Sequence, residues 1–155
     1  MGYEMTNVLI YGAGAIGSFV GYLLMAPSQS NGLKIENVAL LGRASHMQKI
    51  IEAGLQINLQ DRSQHLQFKY CFINLNDLKE SDFYPDLVII CVKTYSLQRV
   101  CFELNVSGLL QGRLRNSCFL LLRASCDRER SFSANDTLIE AVYLEKLLAT
   151  FCKAV

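Results

Sequence analysis

The stretch that decides the fold reads Asn7-Val8-Leu9-Ile10-Tyr11-Gly12-Ala13-Gly14-Ala15-Ile16-Gly17. Its first half is a short apolar run, which is typical of a parallel strand buried on both faces. Its second half has the pattern G-x-G-x-x-G, directly after the strand and at the start of a segment with helical spacing. This order of strand, glycine-rich turn and helix predicts the first unit of a doubly wound α/β sheet.

Strand and helix candidates alternate through the rest of the chain. The helices are predicted over residues 15–25, 45–53 and 96–104, and the buried strands over residues 37–41, 87–92 and 118–122. Residues 55–59 and 66–72 are β-like segments that we expect to pair as a hairpin. The predicted fold class is therefore α/β: a Rossmann-like, doubly wound, mostly parallel sheet with helices on both faces.

The character of the sequence changes after residue 122. A polar stretch over residues 123–135 precedes a predicted helix over residues 137–153, and Ser133 with Asp136 is a capping-box pair for its start. We expect a cofactor-binding domain over residues 1–125 and a loop and helix over residues 126–155. The apolar face of that helix is a candidate homodimer surface, and its residues are Leu138, Ile139, Val142, Leu147, Leu148 and Phe151.

Composition excludes several classes of protein. The chain has 155 residues, of which 51% are hydrophobic, enough for one domain with a core of its own. Its 15 basic and 14 acidic side chains leave a net charge of +1, which disfavours nucleic acid as a partner. No apolar run approaches the roughly 18 residues that a membrane span requires, so we expect no membrane association.

Cysteine spacing predicts the compartment. The 6 cysteines have no C-x-x-C pair and no other zinc-ligand spacing, so no metal site is expected. Several lie in apolar runs, as Cys91 does. We therefore expect buried free thiols in a cytoplasmic protein, where disulfides are rare.

The three glycines of the first turn have separate physical roles. Gly12 permits a tight turn, Gly14 lets the backbone approach a pyrophosphate, and Gly17 lets the helix pack closely on the strand. The N-terminus of the helix offers free N–H groups and the positive end of its dipole to the phosphates. The predicted cofactor-binding turn comprises Gly12, Ala13, Gly14, Ala15, Ile16 and Gly17.

The end of the second strand predicts which dinucleotide is bound. An NAD site places Asp or Glu there to hold the ribose hydroxyls, but this sequence reads Leu41-Gly42-Arg43-Ala44-Ser45. A guanidinium binds a 2′-phosphate that a carboxylate would repel. We therefore predict NADP as the cofactor, with Arg43 as its main contact and Ser45 as a helper. The alternative is that Arg43 is a solvated loop residue.

Lys93 follows the most apolar strand candidate, at the edge of the sheet where ligands bind. Its ammonium would meet a cofactor phosphate, a ribose or a substrate carboxylate. The alternative is a surface lysine whose stem lies along the strand end.

Three segments together resemble the ketopantoate reductase (2-dehydropantoate 2-reductase) family, in its NADP-binding half. They are Gly12-Ala13-Gly14-Ala15-Ile16-Gly17-Ser18; Val38-Ala39-Leu40-Leu41-Gly42-Arg43 with His46 and Gly54-Leu55; and Asp86-Leu87-Val88-Ile89-Ile90-Cys91-Val92-Lys93. The resemblance implies an oxidoreductase that reduces a 2-keto acid, ketopantoate, to pantoate with NADPH, in pantothenate biosynthesis. It also implies that Lys93 corresponds to the family's lysine near cofactor and substrate.

The sequence departs from the family pattern in its last third. The family has an Asn-Gly pair where this chain reads Leu122-Arg123-Ala124-Ser125. It also has a helical C-terminal domain, which we expect these 155 residues to be too few to include. The segment around Lys146 faintly resembles the first helix of that domain. The resemblance implies that Lys146 is the catalytic proton donor, whereas periodicity alone makes it a solvated lysine.

Two hypotheses about function therefore stay open. The first is a 2-keto acid reductase of the ketopantoate type, or its cofactor-binding half. The second is a non-catalytic NADP(H)-binding module, or a truncated homologue that a partner chain completes. A third class, a nucleotide-sensing regulatory domain, is disfavoured because no acid follows the second strand.

Overall fold

The computed structural model describes residues 6–25 and 35–122, which form seven strands and four α-helices. In chain order these are β1 (Thr6–Tyr11), α1 (Ala15–Met25), β2 (Ile35–Leu41), α2 (Ala44–Ala53), β3 (Leu55–Asn58), β4 (Ser63–Leu66), β5 (Tyr70–Phe72), α3 (Leu75–Glu80), β6 (Leu87–Ile90), α4 (Leu97–Val106) and β7 (Cys118–Leu121). A single 3₁₀ turn, Thr94–Ser96, leads into α4. The predicted segments 126–155, including the capping pair, the apolar helix face and Lys146, lie outside the described residues.

Five strands form one parallel sheet in the order β5-β2-β1-β6-β7. The chain moves outward from β1 through β2 to β5, then returns to the other side of β1 and continues through β6 to β7. The strand order therefore reverses between β1 and β6, which is where ligands bind in open α/β sheets. The predicted doubly wound, Rossmann-like class is confirmed.

Both faces of the sheet are covered, so its central strands are apolar throughout rather than alternating. Val8 and Ile10 of β1 point toward α1 and α2, whereas Leu9 and Tyr11 point toward α3 and α4. None of these four side chains is more than 7% exposed. Successive side chains of a strand point to opposite faces, so the single apolar run of β1 contributes to two separate hydrophobic cores. None of the helices in residues 6–25 and 35–122 is long and apolar enough to cross a membrane.

The predicted hairpin is correct in its first strand and wrong in its second. β3 pairs with β4 in an antiparallel hairpin, so the turn is shorter than expected. Of the segment 66–72, only Leu66 pairs with β3, whereas Tyr70–Phe72 pairs in parallel with β2 as an edge of the main sheet. Strand β4 was not predicted because its sequence is polar. It is stabilised by tertiary hydrogen bonds, from the Tyr22 hydroxyl to the Gln64 side chain and between the His65 ring and the Ala53 carbonyl.

Helix α3 was not predicted, although its start has a recognisable signal. The Asn74 side chain accepts a hydrogen bond from the Asp77 N–H (3.0 Å), and the Asp77 carboxylate accepts one from the Asn74 N–H (3.3 Å). This reciprocal pair is a capping box. A search for Asn-x-x-Asp before an apolar residue would have found the helix.

The expectation that residues 118–122 form a buried strand is wrong in its burial. β7 pairs with β6 as expected, but within the described residues it is the outer strand on its side. Phe119 and Leu121 are each 44% exposed.

The expectation that the cysteines are buried is also corrected. Cys101 and Cys118 are exposed, and Cys71 and Cys91 are only partly buried, although all four are free thiols. Cys126 and Cys152 lie outside the described residues.

Candidate dinucleotide site at the carboxyl edge of the sheet

The turn between β1 and α1 requires glycine at its first position. Gly12 has φ of +96°, in the region that favours glycine. A Cβ there would lie 2.6 Å from Cγ1 of Val92 and 2.9 Å from the carbonyl oxygen of Cys91. The N–H groups of Gly12 and Ala13 both donate to the Leu41 carbonyl, at 2.8 and 2.9 Å. The turn is therefore held closely between the ends of β2 and β6.

Gly17 allows the helix to pack directly on this turn. A Cβ at Gly17 would lie 2.4 Å from the Gly12 carbonyl oxygen and 3.1 Å from Cγ2 of Ile10. These atoms belong to the turn and to a buried strand, so they have little freedom to move. The close approach of helix and strand predicted from Gly17 is present.

Gly14 has the opposite environment. It is exposed, and no atom lies within 4 Å of the position that its Cβ would take. The first helical hydrogen bond runs from the Ser18 N–H to the Gly14 carbonyl, at 2.9 Å. The N–H groups of Ala15, Ile16 and Gly17 precede that bond, and such groups at a helix start have no intrahelical partner. An accessible backbone beside free N–H groups fits a diphosphate.

The end of β2 lies directly beside this turn. A Cβ at Gly42 would be 3.1 Å from the Ala13 carbonyl oxygen, so the two crossover turns are neighbours. Arg43 is the N-cap of α2, and its side chain is exposed. Its carbonyl accepts hydrogen bonds from the N–H groups of His46 and Met47, at 3.0 and 2.9 Å. The backbone of Arg43 is thus fixed, while its guanidinium remains accessible at the sheet edge.

A side-chain hydrogen bond joins the first turns of α1 and α2. The Ser18 hydroxyl lies 3.0 Å from Nε2 of His46, and it also donates to the Ala13 carbonyl at 3.4 Å. Ser18 is 3% exposed. Sequence reasoning gave these two residues no role, because 28 positions separate them and no local pattern relates them. They link the glycine turn to the helix that carries Arg43.

The end of β6 completes the edge. The Cys91 N–H donates to the Tyr11 carbonyl at 2.8 Å, which places Cys91 next to the start of the glycine turn. Burial raises the pKa of the Cys91 thiol to about 12, so the thiol is protonated at neutral pH. Lys93 follows and is exposed, with its Nζ 5.8 Å from the centroid of the Tyr95 ring.

Tyr11 anchors the end of β1 to α4. Its hydroxyl donates to the Glu103 carboxylate at 3.1 Å. Burial and then this acceptor raise the pKa of Tyr11 well above its usual range, so the hydroxyl stays a donor. The strand end that precedes the glycine turn is therefore held from the α4 side as well.

The geometry defines a class of protein. It is a doubly wound α/β domain with a glycine-rich turn between strand and helix, located where the order of the strands reverses. A family model described as ketopantoate reductase PanE/ApbA matches residues 8–107, which is more than half of the chain. The chain belongs to this family. No curated protein matches the sequence closely enough to be counted as a relative.

Solved structures share the fold. A putative ketopantoate reductase from Ralstonia solanacearum MolK2 has 22% identity and a TM-score of 0.55 over 77% of this chain and 32% of that one. A probable 2-dehydropantoate 2-reductase from Bacillus subtilis has 19% identity and a TM-score of 0.52, covering 76% and 33%. A putative 2-dehydropantoate 2-reductase from Enterococcus faecalis also has 19% identity and a TM-score of 0.52, covering 86% and 37%. The chain spans about a third of the length of these proteins.

Proposed function

We propose that the described residues form the NADP(H)-binding domain of a reductase that acts on a 2-keto acid of the ketopantoate type. The observation that supports this most directly is the pairing of two features at one sheet edge. The backbone around Gly14 is open to a diphosphate, and the neighbouring strand end carries exposed Arg43 and no carboxylate between Leu41 and Ser45. Family membership adds the expected reaction class.

Each part of the edge would bind a different part of the dinucleotide. The N–H groups at the start of α1, from Ala15 to Gly17, would donate to the pyrophosphate. Arg43 would bind the 2′-phosphate through its planar fork of donors, with Ser45 beside it. Lys93 would meet the cofactor or the carboxylate of the substrate from the end of β6.

NADPH, when bound, supplies the hydride that reduces a keto group. The protein's part is to hold the substrate's carboxylate, to stabilise the alkoxide that develops on the keto oxygen, and to protonate it. We propose Lys146 for the proton transfer on the resemblance alone, since it lies outside the described residues. In this function the protein would supply pantoate for pantothenate in the cytoplasm.

A non-catalytic NADP(H)-binding module is the second candidate. The observation that favours it is the stretch after β7, Leu122-Arg123-Ala124-Ser125, which contains no asparagine where the resemblance implies the family's Asn-Gly pair. None of these four side chains is an amide, so the stretch cannot form the hydrogen bonds that an asparagine side chain would. The domain could then hold the cofactor without turnover, or use a partner chain to complete the site.

One set of measurements tests the proposal and separates the candidates. NADPH and NADH are titrated by fluorescence against wild type, Arg43→Ala and Arg62→Ala, an exposed arginine of the hairpin turn that matches the charge change. We expect Arg43→Ala to weaken NADPH at least tenfold, about 1.4 kcal/mol, with little change for NADH or in Arg62→Ala. Equal losses for both cofactors would overturn the role of Arg43.

Ketopantoate is then added and the nicotinamide absorbance followed. Oxidation of NADPH supports the reductase, and binding without oxidation supports the module. If the protein binds neither NADPH nor NADH, both the reductase and the binding-module candidates are overturned.

A further inference from the structure

A second cleft lies at the opposite edge of the sheet from the glycine turn. It has a volume of about 330 Å³. Its lining comes from three segments that precede β6 or β7, and the residues are Lys79, Tyr84, Gly108, Leu109, Gly112 and Arg113. Because parallel strands all begin at the same edge, this cleft is separated from the dinucleotide site by the length of the strands. Four residues of β6 correspond to roughly 13 Å.

The guanidinium of Arg113 is held in this cleft by one hydrogen bond at its Nε and by one aromatic ring against its plane. Its Nε donates to the Lys79 carbonyl at 2.8 Å, and its guanidinium carbon lies 4.3 Å from the centroid of the Tyr84 ring. Its Nη1 is buried and has no hydrogen-bond partner within the described residues. The guanidinium is thus oriented by the protein, but its Nη1 nitrogen is unsatisfied within the described residues.

The charge of the cleft is also unbalanced. The one ion pair within residues 6–25 and 35–122 joins Arg99 to Glu103, so neither Lys79 nor Arg113 has a carboxylate at ion-pair distance there. The Lys79 ammonium instead donates to the Ser107 carbonyl at 3.4 Å. Two cationic residues therefore line one cleft, and no carboxylate of the described residues pairs with either.

An unsatisfied, partly desolvated arginine nitrogen is costly, and native structures rarely leave one without a partner. An oxyanion removes that cost, because carboxylate and phosphate oxygens accept two parallel bonds from a guanidinium. Arg113 is already fixed by Lys79 and Tyr84, so binding would lose little side-chain entropy. Arg113 and Lys79 both line the cleft, and the Lys79 side chain is exposed.

We propose that this cleft is a binding site for a small-molecule oxyanion, a carboxylate or phosphate group held by Arg113 with Lys79 beside it. The site is independent of the proposed dinucleotide site and does not depend on the proposed function. It would let the domain respond to an anionic metabolite at one edge of its sheet while a cofactor occupies the other.

The test is a titration of the full chain by ¹⁵N–¹H NMR with inorganic phosphate, and separately with acetate, at constant ionic strength. The amides of Gly108 and Gly112 report on the cleft, and those of Gly14 and Gly17 report on the dinucleotide turn. We expect saturable shifts at Gly108 and Gly112 with at least one anion. Tighter binding of phosphate would assign a phosphoryl ligand, and tighter binding of acetate a carboxylate.

Variants separate this site from a general charge effect. We expect Arg113→Gln to weaken anion binding at least tenfold and Lys79→Gln about threefold. Arg115→Gln, an exposed arginine two positions away, should leave it unchanged. If Arg113→Gln does not fold, Lys79→Gln against Arg115→Gln decides the question. Shifts confined to Gly14 and Gly17, no saturable shift, or an equal loss in Arg115→Gln would overturn the proposal.

Discussion

The two edges of the sheet present positive potential in different ways. At the carboxyl edge, the backbone is exposed at Gly14 and Ala15, at the start of α1, while Gly12 and Gly17 let the turn pack closely on its neighbours. At the amino edge, the positive groups are the side chains of Lys79 and Arg113, and the Arg113 guanidinium lies beside the Tyr84 ring. The first arrangement depends on the absence of side chains and the second on their presence. The two edges should therefore respond to opposite kinds of substitution.

The largest difference is expected from adding one methyl group at each edge. Gly17→Ala places a Cβ 2.4 Å from a backbone oxygen, whereas Gly112→Ala places one in ordinary contact, at 3.4 Å from the Gly108 carbonyl oxygen. We expect the first to lower the free energy of unfolding by about 3 kcal/mol and the second to change it by less than about 0.5 kcal/mol. Urea unfolding measures both. Similar values for the two variants would mean that the carboxyl edge is not tightly packed.

The next effect concerns ligand approach rather than packing. Gly14→Val should weaken NADPH binding at least a hundredfold, about 2.8 kcal/mol, because a branched side chain would occupy the path of the diphosphate. Since nothing lies within 4 Å of that Cβ, the fold itself should tolerate the change. Fluorescence titration gives the affinity, and unfolding in urea checks the stability. Retained affinity would show that the turn does not hold phosphate.

Thiol reactivity compares the two edges without a substitution. Cys91 lies at the carboxyl end of β6, and burial raises its pKa to about 12; Cys118 lies at the amino end of β7 and is exposed. Only the thiolate reacts, so iodoacetamide at pH 8 should modify Cys118 at least tenfold faster than Cys91. The rate at Cys91 should still be rising above pH 10, as its thiolate forms. Peptide mass spectrometry follows each site, and equal rates would contradict the described burial.

The smallest effect concerns two exposed tyrosine rings that lie near cations, Tyr84 and Tyr95. Tyr84 faces Arg113 at 4.3 Å, whereas Tyr95 lies 5.8 Å from the Lys93 ammonium. Tyr84→Leu should cost about 0.5–1 kcal/mol of unfolding free energy, and Tyr95→Leu less than that. Thermal unfolding of both variants, measured together, would resolve the difference. A larger loss in Tyr95→Leu would show that Tyr84 does not hold the guanidinium.

Local sequence was sufficient where one short segment carries a whole structural unit. The extents of β1 and α1 were predictable because an apolar run, a glycine turn and helical spacing follow one another without interruption. It was insufficient where polar residues form a strand through tertiary contacts, as in β4, whose Gln64 and His65 bond to distant groups. It also overstated the burial of β7, because apolar composition does not show which strand lies at an edge.

The sequence alone determined the doubly wound fold and the glycine turn, because the positive φ of Gly12 and the close approach of Gly17 to the Gly12 carbonyl both arise within one short segment. It also placed Arg43 and Lys93 at strand ends, since the direction of parallel strands brings those ends to one edge. Only the tertiary structure joined Ser18 to His46 and brought Lys79, Tyr84 and Arg113 around one cleft. Such groupings depend on how separate helices and loops pack, and no local pattern of charge or hydrophobicity shows which residues far apart in sequence come into contact.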